Sequence, residues 1–450
     1  MNSPQSFTWE QIRNTADLAV FQQFGEYLSD AEIEVLQGSW DGLTYEKMAE
    51  SLYCSVNYVR GDIGPKLWSK LSVALVEEVR KKNIKSVLER AYQKQVSVEN
   101  TDVTTTVCSA PQIPFPEGSV PLGSPFYLER EGVESVCYEA IAKPGSLTRI
   151  KAPKLMGKTS LMVRILAQAE SRNYRVVPLD LGMVERTIIT DLDKFLRWIC
   201  LMVGRECQLE NRLPAFWDTE ILGSNDNCTG YFEDYLLPSI NGPLVLCLDN
   251  VDRIFSCAEV VEDFLGMLRS WHEKGKILER WRQLRLVMAY STECYVPLDM
   301  NQSPFNAGVP IELKEFDAKQ VNNWVWLHGI TWTKSQVDAL MKMLGGHPTL
   351  VGLALYEVGS GKMSLDRLLQ SAPTEAGLYS SHLRRHLETL KSSPALWEAF
   401  RLVVESSEPV ELNSMQIYKL HSMGLVQQNN NQVLPSCQLY REYFHRVLSQ

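Results

Sequence analysis

The middle of the chain alternates two hydrophobic periods. "GSLTRIKA" (145–152) sets apolar against polar positions at Leu147, Arg149 and Ile150, the period of a short strand. "TSLMVRILAQAES" (159–171) then places Leu161, Ile165 and Ala169 at helical spacing, with Gln, Glu and Arg on the other faces. "YRVVPLDL" (174–181) reads as a second strand, "RLVMAYST" (285–292) as a fourth and "IELKEF" (311–316) as a fifth. Between them, "GPLVLCLDNVDRIF" (242–255) is a continuous apolar run closed by an acid, which suits a strand buried on both faces of a parallel sheet. Strand–helix alternation of this kind predicts an α/β domain with helices on both faces of the sheet.

The flanks read differently. Residues 1–94 and 317–400 carry helical periods. The last 50 residues combine a helix, "LNSMQIYKLHSMG", with "LVQQ" and "QVLP" around "NNN", a hairpin signal that suggests a winged helix. "QVSVENTDVTTTVCSAPQIPFPEGSVPLGSP" (95–125) holds five prolines and reads as a linker or an extended strap. The expected domains are 1–94 (helical), 95–125 (linker), 126–315 (α/β), 316–392 (helical lid) and 393–450 (winged helix). No internal repeat is visible.

Composition narrows the class. The 450 residues are 45% hydrophobic and 22% charged, the profile of a soluble globular chain. A net charge of −9 disfavours wholesale coating of nucleic acid or membrane. There is no run of 18 apolar residues and no basic-then-apolar leader, so a cytoplasmic protein without membrane contact is expected. The ten cysteines are scattered without C-x-x-C, which favours reduced, buried thiols.

Candidate chemistry starts at "KAPKLMGKTSLM" (151–162). It matches G-x-x-x-x-G-K-[ST] at Gly157, Lys158 and Thr159, with Ala152 in place of the first glycine. A strand precedes the loop and a helix follows, as a phosphate-binding loop requires. Backbone N–H groups at a helix start point at an anion, and Thr159 and Ser160 lie just inside that start. With ATP or ADP as the expected cofactor, Lys158 would reach the β-phosphate and, in ATP, the γ-phosphate, and Thr159 would ligate Mg²⁺. Alanine at the first position gives up the freedom of positive φ and weakens the motif.

The second half-site is Asp249, at the carboxyl end of the buried strand, where open α/β sheets bind ligands. It is expected to hold Mg²⁺ through water. Many ATPases of this type have Glu next, orienting the attacking water; here Asn250 stands there, and an amide cannot take a proton from water. Asp252 could replace that Glu only if the turn folds it back. The expectation is nucleotide binding with slow hydrolysis.

A helix-turn-helix is expected in "LTYEKMAESLYCSVNYVRGDIGPKLWSKLSVAL" (43–75). Thr44 and Ser55 would cap its two helices, and Asn57, Tyr58 and Arg60 would be exposed on the second. Residues 57–94 hold nine basic groups, Lys66 and Lys70 among them, against four acids, a balance of +5. Such a stripe suits duplex DNA. Two features oppose it: Gly64-Pro65 is expected to cut the recognition helix short, and residues 28–56 carry six acids against one Lys. A trihelical protein-docking module is the alternative. His382 and His386, at i, i+4, are expected on a solvated helix face rather than on zinc. Trp324 and Trp326 are expected as core or interface anchors. "GGHPTLVGLAL" (345–355) reads either as a loop–helix junction or as a lid over the nucleotide base.

"RIKAPKLMGKTSLM", "LCLDNVDRIF", "YSTECYVPLDMNQSPFNAGVPIEL", "GGHPTLVGLALYEV" and "SAPTEAGLYSSHLRRHLETL" together resemble the AAA-like domain family abundant in cyanobacteria, P-loop ATPases of the STAND type (signal-transducing NTPases with many domains). "YEKMAESLYCSVNYVRGDIGPKLWSKLSVAL" resembles the helix-turn-helix at the N-terminus of proteins associated with vWA–MoxR ternary systems. The resemblance implies a P-loop NTPase domain followed by a lid and winged helix, acting as an ATP-binding regulatory switch. It gives Ser291 or Thr292 the sensor role and matches Pro348 to an element that touches the nucleotide. It also implies a separate effector or sensor as partner, because no effector motif is visible, and it leaves room for a homo-oligomer. The rival readings are a DNA-binding transcriptional regulator with a structural nucleotide site, and a pseudo-ATPase scaffold.

Overall fold

The structure is a computed structural model that describes residues 9–24, 28–51, 54–75, 77–100, 113–292 and 304–448. The chain divides into two contact units, 1–111 and 112–450.

Among the described residues the first unit is all-helical. Helices Trp9–Phe24, Asp30–Trp40, Tyr45–Ser51 and Ile84–Asn100 enclose Ile12, Ala16, Leu36, Met48, Leu67 and Leu88. A capping box sets the start of Asp30–Trp40: the Ser29 hydroxyl accepts the Glu32 N–H, and the Glu32 carboxylate accepts the Ser29 N–H. Ser55 caps the recognition helix as expected, its hydroxyl accepting the Tyr58 N–H at 3.3 Å. Gly64-Pro65 does not stop that helix, contrary to the sequence reading. The chain runs from Val56–Tyr58 through a π turn at Val59–Ile63 into Gly64–Ala74. The Gly64 N–H donates across five residues to the Val59 carbonyl, and Pro65 falls in the first turn of the next segment, where no N–H is needed. The helix Ile84–Asn100 also carries residues 95–100, placed by the sequence reading in the linker.

The second unit is built on five parallel strands: β1 (Leu147–Ala152), β2 (Arg175–Asp180), β3 (Leu244–Asp249), β4 (Leu284–Ser291) and β5 (Val309–Glu312), in spatial order β2-β3-β4-β1-β5. β3 and β4 are buried throughout. Alternate residues feed two cores. Leu244, Leu246 and Leu248 pack with Phe195, Phe264 and Trp271 on one face; Val245 and Cys247 pack with Leu161 and Ile165 on the other. The P-loop NTPase fold expected from the sequence is present.

After β5 come the lid helices Ala318–Leu327, Lys334–Leu344, Pro348–Gly359, Leu365–Ser371 and Ser380–Lys391. Helices Pro394–Glu405 and Ser414–Ser422 then lead into an antiparallel sheet of β6 (Val410–Glu411), β7 (Val426–Asn429) and β8 (Gln432–Pro435), the winged helix expected from "NNN". A closing helix, Gln438–Leu448, and β6 add to it. Lid and winged helix share one core, from Leu340 and Leu383 through Phe400 to Phe444. The lid is pinned at Gly346, whose carbonyl accepts the Phe316 N–H at 2.8 Å; a Cβ there would meet the Phe316 carbonyl oxygen at 1.7 Å. Among the described residues no helix is long and apolar enough to cross a membrane.

Candidate functional site

Parallel strands open their carboxyl ends onto a crevice, and the phosphate loop lies there. Ala152 ends β1 in register with Ser291 at the end of β4. The two left-handed residues of the loop are Leu155 (φ 64°) and Gly157 (φ 90°), so the first-glycine position needs no positive φ and alanine serves it. The helix Lys158–Ser171 begins at the crevice. Lys158 Nζ donates to the carbonyls of Ala152 (3.1 Å) and Pro153 (2.9 Å). Thr159 Oγ1 donates to Asp249 Oδ2 at 2.8 Å, which joins the two half-sites across 90 residues. Asp249 is only 6% exposed, and burial holds its carboxyl above the ordinary range against the hydrogen bonds from Thr159 and the Asn250 N–H; the charge of Asp180 adds to the rise.

Lys154, Leu155, Gly157, Lys158 and Thr159 of the loop form one wall of a cavity of about 490 Å³, within the range of small-ligand sites. The opposite walls come from elsewhere. Residues 114–121 cross the start of the P-loop helix as a strap: the Val120 N–H donates to Ser160 Oγ at 2.9 Å, and the Arg164 guanidinium binds the Val120 and Pro121 carbonyls while stacking over Tyr127. Ser160 lines the cavity, but its hydroxyl anchors the strap. The lid contributes Pro348, Thr349, Gly352, Trp324 and Arg385. Thr349 Oγ1 donates to the Leu155 carbonyl at 2.7 Å, tying lid to loop. Trp324 belongs to the lid core and also faces the cavity; its buried indole N–H has no partner among the described residues.

The acids and hydroxyls divide their work. Asn250 adopts φ 54° and its amide donates to Asp180 Oδ1 at 2.8 Å. Asp252 Oδ1 accepts the Ser291 N–H at 2.7 Å, so the turn does fold it back onto the end of β4. Ser291 lines the cavity. Thr292 does not: its hydroxyl donates to the Ser422 carbonyl of the winged helix at 2.7 Å. Thr159 and Asp249 offer hard oxygen donors of the kind Mg²⁺ takes, and a buried carboxylate with a raised pKa gains from a cation, so the residues present fit that ion.

Sequence reasoning missed three parts of this site; it offered the strap as an alternative to a linker, because Pro and Gly punctuate the segment. Arg130, whose guanidinium holds the Met156 carbonyl at 2.8 Å, carries no local signal. Asp180 ends β2 beside Asp249, a placement that the strand pattern could have revealed. Arg385 stands between His382 and His386, whose spacing is the stronger sequence signal. Those histidines are a correction. His386 is 2% exposed, and His382 Nε2 lies 2.7 Å from the Tyr440 hydroxyl. The helix Ser380–Lys391 turns this face inward against His347 and the winged helix, leaving Arg384 and Glu388 outside. Burial holds all three imidazoles below their ordinary pKa, His347 at about 4 and His386 at about 3. No group of three ligating side chains suited to a metal occurs among the described residues.

In the first unit, Asn57, Tyr58 and Arg60 are exposed on the recognition helix. Arg60 pairs with Glu46 at 3.2 Å, Lys66 with Asp62 at 2.9 Å and Lys70 with Glu32 at 3.1 Å.

Comparison with known proteins follows the same division. The AAA-like domain family matches residues 115–446, and the vWA-MoxR associated protein N-terminal HTH matches residues 7–91. Among solved structures, a Walker-type ATPase of Pyrococcus abyssi is 11% identical, with 71% of this chain and 96% of that one covered and a TM-score of 0.51. The ORC2 protein of Aeropyrum pernix is 14% identical, with 75% and 96% covered and a TM-score of 0.48. A STAND protein of Pyrococcus horikoshii with a tetratricopeptide repeat sensor is 16% identical, with 71% and 42% covered and a TM-score of 0.31. Comparison with curated proteins gives no match. With the family match running from the strap through the phosphate loop to the closing helix, this chain belongs to the AAA-like domain family and carries an N-terminal helix-turn-helix.

Proposed function

We infer that the protein is an ATP/ADP-binding regulatory switch of the STAND type with slow hydrolysis, and that it couples nucleotide state to a partner through its N-terminal helix-turn-helix. The observation that carries this reading is the composition of the cavity wall: strap, phosphate loop and lid all line it, so one bound nucleotide touches three separate chain segments. The phosphates lie against the loop N–H groups and Lys158, which turns from the Ala152 and Pro153 carbonyls toward them. Thr159 and Asp249 would hold Mg²⁺, which would supply neutralising charge at the phosphates. Ser291, aligned by Asp252, faces the γ-phosphate, and Arg385 brings a cation from the lid. The base rests between the strap and Pro348, Gly352 and Trp324. Losing the γ-phosphate removes a ligand that favours the closed lid, and a ligand shifts an equilibrium only by its differential affinity for the two states. Limited proteolysis in ADP and in a non-hydrolysable ATP analogue tests the switch: different cleavage patterns are expected, and identical ones contradict it. Turnover well above about one per second contradicts slow hydrolysis.

Duplex DNA is a second reading for the helix-turn-helix. Exposed Asn57, Tyr58 and Arg60 on one helix favour it, since these residue types read base edges and phosphates. A separate effector or sensor protein is the partner if DNA is not.

A further inference from the structure

Asn250 leaves the attacking water without an acid at the position directly after Asp249. The neighbouring strand supplies one. β2 and β3 pair in parallel with Asp180 opposite Asp249, so two carboxylates end adjacent strands at the crevice. The left-handed backbone of Asn250, a conformation asparagine tolerates, carries its side chain toward β2. There Nδ2 donates to Asp180 Oδ1 at 2.8 Å, and the Gly182 N–H donates to the same oxygen at 2.8 Å. Two fixed donors therefore hold Oδ1, and among the described residues none falls on Oδ2. Gly182 makes the approach feasible: a Cβ there would lie 2.9 Å from Asp180 Oδ1 and 3.3 Å from Asn250 Nδ2. The side chain of Asp180 is exposed to water; Asp252, the other acid nearby, lines the cavity and likewise gives one oxygen to a donor, the Ser291 N–H.

We propose that Asp180 is the carboxylate that orients the attacking water and that Asn250 is its positioning residue, so that the acid needed for hydrolysis stands on β2 rather than β3. This rests on the nucleotide reading above. As the water oxygen bonds to the γ-phosphorus of ATP, Asp180 Oδ2 takes a water proton. The bond from the γ-phosphorus to the bridging oxygen breaks, that oxygen leaves on ADP with the electron pair, and the proton passes from Asp180 to the released phosphate. Aspartate is one methylene shorter than the glutamate usual after this strand, and it reaches in from the next strand. Both features fit slow turnover.

The test is single-turnover hydrolysis of ATP with Mg²⁺ by the full chain, alongside the dissociation constant for ATP. Asp180→Asn keeps an oxygen for the Gly182 N–H, so the fold survives, and an unchanged melting temperature checks this. The expected result is a rate lower by on the order of 10²-fold with unchanged ATP affinity. Asn250→Ala lowers the rate less and leaves affinity alone. The exchange Asp180→Asn with Asn250→Asp returns the acid to β3 and recovers most of the lost rate; because it also keeps an amide–carboxylate hydrogen bond, the unchanged melting temperature of Asp180→Asn is what separates a catalytic from a merely structural Asp180. Wild-type rates in Asp180→Asn overturn the proposal, as does a wild-type chain that binds ATP without hydrolysing it. A wild-type chain that binds no nucleotide overturns the nucleotide reading itself.

Discussion

The two units handle charge in opposite ways. In the P-loop unit, Lys154 and Lys158 of the phosphate loop and Arg385, from a distant part of the sequence, line one cavity. In the N-terminal unit, Arg60, Lys66, Lys70, Arg80 and Arg90 each pair with an acid of the same unit. The balance of +5 over residues 57–94 counted cations along a window. It left out Glu32 and Glu46, which fold back onto Lys70 and Arg60 from outside that window. Charge gathered around a cavity defines a site, whereas charge counted along a helix does not. Apart from Lys70–Glu32, whose carboxylate is buried, the pairs are exposed and individually weak, so a phosphate backbone can still displace them.

The contrast can be broken most severely at Gly346. Alanine there places a Cβ against the Phe316 carbonyl, and a loss of about 4 kcal/mol or more is expected for the P-loop unit. Two-phase denaturation should show that transition moving while the helical one stays.

Acid gives the next largest effect. All seven histidines lie in the second unit. His347 and His386 are held at about 4 and about 3, below the ordinary 6.5, so the unfolded chain takes up protons first as pH falls. Their stabilising contribution is full above pH 6.5 and declines as pH falls toward 4 to 3. At pH 5 each costs the unit about 2 kcal/mol, and melting followed from pH 7 to 5 should lower the second unit alone. Equal sensitivity of both units would remove the contrast.

Smaller changes sharpen the DNA question. If the recognition helix meets duplex DNA, log K should fall against log salt with a slope of about −3 to −4.5. Arg60→Ala should then cost about 1–3 kcal/mol in a gel-shift titration of the full chain. Glu46→Ala, which releases Arg60, should tighten binding by less than about 1 kcal/mol. No retardation of any duplex at about 50 mM salt leaves the helix-turn-helix a protein-docking module.

How much of this was legible depended on how local each feature is. The five strands, Lys158, Thr159 and Asp249 announce themselves because periodicity and loop chemistry act over a few residues. The hairpin of the winged helix was legible for the same reason. The strap was legible only as an alternative to a linker, since its place over the phosphate loop comes from Ser160 and Arg164 binding its backbone from 40 or more positions away. The continuation of the recognition helix past Gly64-Pro65 was hidden because a π turn, not a residue preference, accommodates the proline. The burial of His386 follows from packing between the phosphate loop and the winged helix, which the helix's own sequence does not encode.

The central claim is that the cavity between strap, loop and lid binds a nucleotide through Lys158. Calorimetric titration of ATP and of ADP with Mg²⁺ into the full chain tests it most directly. The account predicts one equivalent bound by the wild type, none by Lys158→Ala, and a stabilisation of the wild type by about 2.7 kcal/mol at a hundredfold excess over the dissociation constant. No binding by the wild type, or equal binding by Lys158→Ala, would contradict it.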